Sequence, residues 1–152
     1  PCAGSEQWGK RVSWWTYLAY ASLEGQVVTG IDPVEGYETL AAVAADTVRV
    51  LIGRYYAGTS SLVLELVNLD ALDVVNDGVT QVEVHRYSGN PSDVFVGGVD
   101  TVDTRVVELS RRYDVVDDLL SLEFSGGNAF SSLDAVWIVL SKPVFGHVDA
   151  AQ

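Results

Sequence analysis

A chain of 152 residues with 48% hydrophobic content is long enough for one domain with a proper core and too apolar to remain unfolded. Its net charge of -12 and pI of about 4.3, with nine scattered Lys and Arg, would repel phosphate backbones and anionic head groups, which argues against nucleic-acid and membrane-surface roles. No apolar run reaches the roughly 18 residues of a membrane span, no charged-then-apolar amino end marks a signal peptide, and the absence of Met predicts a processed or partial chain.

Residues 1–10 are polar and contain glycine, a connector that leads to Ser13 as a helix N-cap. Cys2 is either a spare surface thiol or one half of a disulfide to sequence outside the chain. The segment from Val12 to Gly25 is the one convincing helix. Trp14, Tyr17, Leu18 and Ala21 recur at helical spacing on one side, and Thr16, Ala19, Tyr20 and Leu23 on the other. A helix that is apolar all round must be buried all round. The rest of the chain is strand-sized, so Trp14, Trp15, Tyr17, Leu18 and Tyr20 are expected to form a docking surface whose partner lies partly outside this chain. Gly25 suits the C′ position that ends the helix.

Beyond Gly25 the runs Gln26 to Ile31, Glu38 to Ala45, Thr47 to Tyr56, Ser61 to Leu69, Val79 to Tyr87, Val94 to Val102, Arg105 to Ser110, Leu119 to Phe124 and Ala135 to Ser141 read as strands. Turn chemistry separates them, at Asp32-Pro33, Ala57-Gly58-Thr59, Asn76-Asp77-Gly78, Ser88-Gly89-Asn90-Pro91 and Gly126-Gly127-Asn128. Leu120, Leu122 and Phe124 alternate with polar residues, as do Val82 and Val84, so those strands have one wet face. Thr47 to Ile52 and Ala135 to Leu140 are more continuously apolar, as central strands covered on both sides would be. The expected fold is mainly β, an antiparallel β-sandwich of the jelly-roll kind with one N-terminal apolar helix. Residues 1–25 are read as connector and docking helix, and 26–152 as the sandwich domain.

Sites are scarce. Glu65, Glu83 and Glu123 alternate with apolar neighbours and are expected to face solvent. His85 and His147 belong to no metal-ligand spacing, and no nucleophile elbow, dinucleotide fingerprint or phosphate loop is present, so no catalytic residue is assigned. The loop holding Asp70, Asp73 and Asp77 gathers hard oxygen ligands and is a calcium candidate, against the plain alternative of a solvated loop turning at Asn-Asp-Gly. No other cofactor is expected. Tyr55, Tyr56 and Tyr87, with Trp137 and Phe130, are candidates for an aromatic platform under a sugar ring, Trp137 being better read as core.

The text from Trp14 to Gly25, followed by Leu40-Ala41-Ala42-Val43-Ala44 and Val48-Arg49-Val50-Leu51-Ile52-Gly53, resembles the end of clan A glycoside hydrolases, in which the last barrel helix leads into an appended β-sandwich. Leu120 to Gly126 and Ser132 to Ile138 resemble the last strands of carbohydrate-associated jelly rolls. The resemblance implies a non-catalytic accessory domain packed on a catalytic barrel, with the family's acid/base and nucleophile glutamates on barrel strands absent here. The alternatives are a free-standing carbohydrate-binding module and an extracellular structural or filament subunit docking on a neighbouring subunit. The acidity and the scarcity of Lys, present only at Lys10 and Lys142, are consistent with a secreted protein.

Overall fold

The computed structural model describes residues 18–28, 35–55, 58–87, 105–130 and 134–143. A helical turn at residues 18–21 leads into eight strands: β1 (Gln26–Val28), β2 (Tyr37–Val43), β3 (Thr47–Arg54), β4 (Leu62–Val67), β5 (Val79–Tyr87), β6 (Arg105–Asp114), β7 (Leu119–Phe124) and β8 (Ala135–Ser141). Six of them form one antiparallel sheet in the order β1-β2-β3-β8-β5-β6, and β4 pairs with β7 in a second. The antiparallel sandwich is as expected, though its sheets are uneven, six strands against two. The run Val94 to Val102 lies outside the described residues.

Period-two alternation assigns each strand of the large sheet two faces. Val48, Val50 and Ile52 of β3, Val136, Ile138 and Leu140 of β8, and Val82 and Val84 of β5 point to one side. There they meet Leu120, Leu122 and Phe124 of β7, with Leu69, Val74 and Phe130 from loops. The opposite face of the same strands carries Leu51, Ala135, Trp137, Val139 and Tyr87, packed with Ala19 and Leu23 from the N-terminal segment. Thus β3 and β8, read as central from their more continuously apolar text, are hydrogen-bonded neighbours in the interior of the sheet.

Two tight turns, each closed by an isolated β-bridge where the chain passes between the two sheets, are made at acidic residues. Asp77 and Gly78 have φ of 53° and 73°, and Asn76 and Val79 exchange both backbone hydrogen bonds, at 2.8 and 3.0 Å. Asp117 and Asp118, at 52° and 63°, do the same between Val116 and Leu119, with both bonds at 3.0 Å. In each turn the two central residues hold left-handed backbone, which reverses the chain within two residues. Aspartate tolerates that conformation better than most side chains. The tips are joined by the Val115 amide donating to the Gly78 carbonyl at 2.8 Å, and by the Asp70 amide donating to Asp118 Oδ1 at 2.6 Å.

Strand β6 runs four residues past the expected Ser110, because Arg111 and Arg112 continue the pairing opposite Val82 and Gln81. Where the helical segment enters the sheet, Gly25 has φ of 98°, and a Cβ there would lie 2.1 Å from the Val43 carbonyl oxygen. Both the backbone region and the contact demand glycine. Replacing Gly25 with Ala is expected to cost about 2 kcal/mol or more through backbone strain and displacement of Val43, read as a lowered thermal midpoint; an unchanged midpoint would contradict this entry geometry.

Candidate functional site

The helical turn shows how the N-terminal segment is used. Its Ala19 is buried against Tyr87 and Trp137, and Leu23 packs beside it. The Ser22 amide donates to the Leu18 carbonyl at 3.0 Å, and the Ser22 hydroxyl donates to the same oxygen at 2.7 Å, closing the turn. Glu24 reaches Arg49 of β3 at 3.7 Å. Leu18 and Tyr20 remain 41% and 60% exposed. The helical segment therefore has one side on the sheet and an apolar side turned away from it. Trp14, Trp15 and Tyr17, the other expected docking residues, lie outside the described residues. Four of the eight exposed large hydrophobics among the described residues, Leu18, Tyr20, Val27 and Val28, fall within residues 18–28.

The aromatic platform is not assembled. Tyr87 is 3% exposed beneath the helical turn and offers no ring face to a ligand. The alternation of β5 gives the face on which Tyr87 lies, but cannot say that this face is covered. Phe130 and Trp137 are buried, Trp137 as core, in line with its sequence reading. Tyr56 lies outside the described residues. Tyr55 is exposed, its hydroxyl accepting from the Gly36 amide at 3.2 Å while its own amide donates to the Gly36 carbonyl at 3.1 Å.

The acidic loop is likewise dispersed. The Asp73 carboxylate takes Lys142 Nζ at 2.7 Å, Asp77 shapes its tight turn, and Asp70 is held through its backbone amide by Asp118. Among the described residues no group of three or more His, Cys, Asp or Glu converges on a point where an ion could sit, so Asp70, Asp73 and Asp77 do not form the calcium ligand set considered from sequence. Glu65, Glu83 and Glu123 face solvent as expected. His85 is buried with its Nε2 3.4 Å from Glu83 Oε2, a contact between strand neighbours on one face.

A cluster missed by sequence reasoning occupies one end of the large sheet. Arg86 Nη1 donates to Asp134 Oδ2 at 2.8 Å and to the Ala129 carbonyl at 3.3 Å, both side chains being buried. Arg54 donates to the Gly58 carbonyl, and its amide donates to the Asp134 carbonyl at 3.0 Å. The guanidinium of Arg86 lies 5.3 Å from the centre of the Phe130 ring, and that of Arg54 5.8 Å from the Tyr37 ring. Tyr37 and Phe124 each meet Phe130 edge-on at 5.3 Å. Ser60 and Phe130 exchange backbone hydrogen bonds at 2.8 and 2.9 Å, so both loops converge on this point. The signal was present in the phase of the strands: Arg54 continues the inward series Val48, Val50, Ile52, and Arg86 continues Val82, Val84. Chemically the cluster is a paired, hydrogen-bonded lock on the end of the sandwich.

No protein-family model matches the sequence, and no curated protein does. Two solved structures are similar. A protein from Neocallimastix frontalis superposes with a TM-score of 0.68 at 18% identity over 89% of this chain and 31% of its own. A monomeric β-xylosidase from Caulobacter crescentus CB15 superposes with a TM-score of 0.55 at 13% identity over 87% of this chain and 31% of its own. At these identities the likeness is one of fold. The chain spans about a third of the length of each protein and so resembles a partial region of a β-xylosidase chain.

Truncating Asp134 to Ala would leave the buried Arg86 guanidinium without its carboxylate, at an expected cost of about 3–5 kcal/mol in chemical denaturation. A loss below about 1 kcal/mol would show that water or another group already compensates Arg86.

Proposed function

We propose that this chain is a non-catalytic accessory β-sandwich domain of a carbohydrate-active enzyme, a glycoside hydrolase, and that it packs on the enzyme's catalytic barrel through the N-terminal helix. The observation that carries the reading is the pairing of two facts. The chain matches about a third of a β-xylosidase, and its helical segment lies with one side on the sheet and Leu18 and Tyr20 turned outward. An apolar helix placed between two units gives each a surface to bury, as domain interfaces do. The domain's work in this reading is mechanical: it shields the barrel's last helix and holds the edge of the barrel in place. The resemblance of the segment from Trp14 to Gly25 to a closing barrel helix supports the finer assignment to clan A.

The carboxylates on the strands support a non-catalytic role, since Glu65, Glu83 and Glu123 are wet, whereas glycoside hydrolysis wants one carboxyl kept protonated in an apolar setting opposite a second. The purified chain should therefore release no chromophore from aryl β-xylosides or aryl β-glucosides above an enzyme-free blank. Robust turnover by this chain alone would overturn the proposal. Binding to xylan that disappears in Tyr55→Ala would instead favour a free-standing binding module, because Tyr55 is the exposed candidate aromatic among the described residues.

A further inference from the structure

The two edges of the large sheet are finished differently. An edge strand presents a row of unpaired N–H and C=O groups, which proteins guard with charge, bulges or a covering element. On β6, Arg111, Arg112 and Asp114 are exposed, and the pairing with β5 slips in register between Val84 and His85. That edge is guarded by charge and a bulge. On β1, at the other edge, the sequence is Gln26-Val27-Val28. No residue there is charged, all three are exposed, and Val27 and Val28 stand 62% and 45% open. Its shortness is its one protection among the described residues.

The register shows which side Val27 faces. It pairs with Ala42, Ala42 with Arg49, and Arg49 with Val139. Directly paired residues share a face. Val139 belongs to the cluster beneath the helical turn, and Arg49 is the residue that meets Glu24. Val27 therefore extends the helix-bearing face out to the sheet edge, on the same side as Leu18 and Tyr20.

We infer that the docking surface is larger than the helix: it continues over Val27 onto the open edge of β1, and its occupant is the catalytic unit of the same longer polypeptide. This rests on the accessory-domain reading. The similar proteins are about three times as long as their matching region, so a unit large enough to cover helix and edge together is at hand in such chains. A second copy is disfavoured, because two chains of net charge -12 repel. Saccharide fits Val27 and Val28 poorly, since neither side chain offers a ring to stack on or a hydrogen bond.

The test compares hydrogen exchange at residues 26–28 in this chain alone and in the full polypeptide encoded with it. The amides facing away from β2 should exchange at least about tenfold more slowly in the full polypeptide. Val27→Lys should abolish that protection and lower the full polypeptide's melting midpoint by several degrees, while shifting that of this chain by less than about 2 °C. If Tyr20→Asp disturbs the full polypeptide and Val27→Lys does not, the helix docks but the edge is not covered, and this inference fails alone. If neither matters, or the reading frame encodes no further domain, the accessory-domain reading fails with it. Equal protection in this chain alone, with a mass that rises with concentration in light scattering, would assign the edge to a second copy and overturn the inference.

Discussion

A β-sheet with apolar residues on both faces cannot be solvated on either, and this constraint organises the molecule. Strand β8 shows it most plainly, with Val136, Ile138 and Leu140 to one side and Trp137 to the other, all buried. The small β4-β7 sheet covers the first side. The second is covered by the N-terminal segment, through Ala19 and Leu23. A two-layer sandwich would have been complete without the helix had Trp137, Tyr87 and Leu51 been polar. Because they are not, the helical segment is a third layer, and its own outward residues pass the same demand on to whatever lies beyond.

The polar groups obey a complementary rule. Arg54 and Arg86 stand at the inward phase of β3 and β5, where the sandwich opens, and each guanidinium is directed to a carbonyl or carboxylate over an aromatic ring. Hydrogen-bonded pairing of this sort limits the desolvation cost of burying charge. It also fixes the loops around Gly58 and Ala129 against the sheet. At the opposite end, acidic residues make tight turns, and Asp77, one of the three calcium candidates, is among them. Asp77, Asp117 and Asp118 hold left-handed backbone, and Asp118 cross-links to the Asp70 amide.

Much of this was legible in the residues. The limits of β5, β7 and β8 follow from alternation or from apolar runs ended by turn residues, and β3 and β8 stand out as central by being more continuously apolar than the other strands. Strand β6 extends past Ser110 because at a sheet edge Arg111 and Arg112 are paired backbone with wet side chains, a pattern that apolar content does not reveal. The burial of Tyr87 is not legible from its strand. Strand phase assigns a side chain to a face, but only long-range packing decides whether that face is wet, and the residue that covers Tyr87 is Ala19, far away in sequence. The Arg86–Asp134 pair is legible only through strand phase, since Arg86 continues the inward series of Val82 and Val84. Tyr55 is the one member of the suggested platform that is exposed among the described residues.

The position of β8 in the sheet has a consequence for how the chain acquires its shape. This strand is the last of the eight in chain order, yet it lies in the middle, between β3 and β5. Until it is synthesised, β3 and β5 have no common neighbour, and the large sheet exists only as two separated fragments with apolar faces and raw edges. Closure requires pairing across long sequence separations, which is slow and leaves sticky intermediates open to misassociation. Pairing of β8 between β3 and β5 is thus what joins the two parts of the large sheet, and both cores draw residues from it.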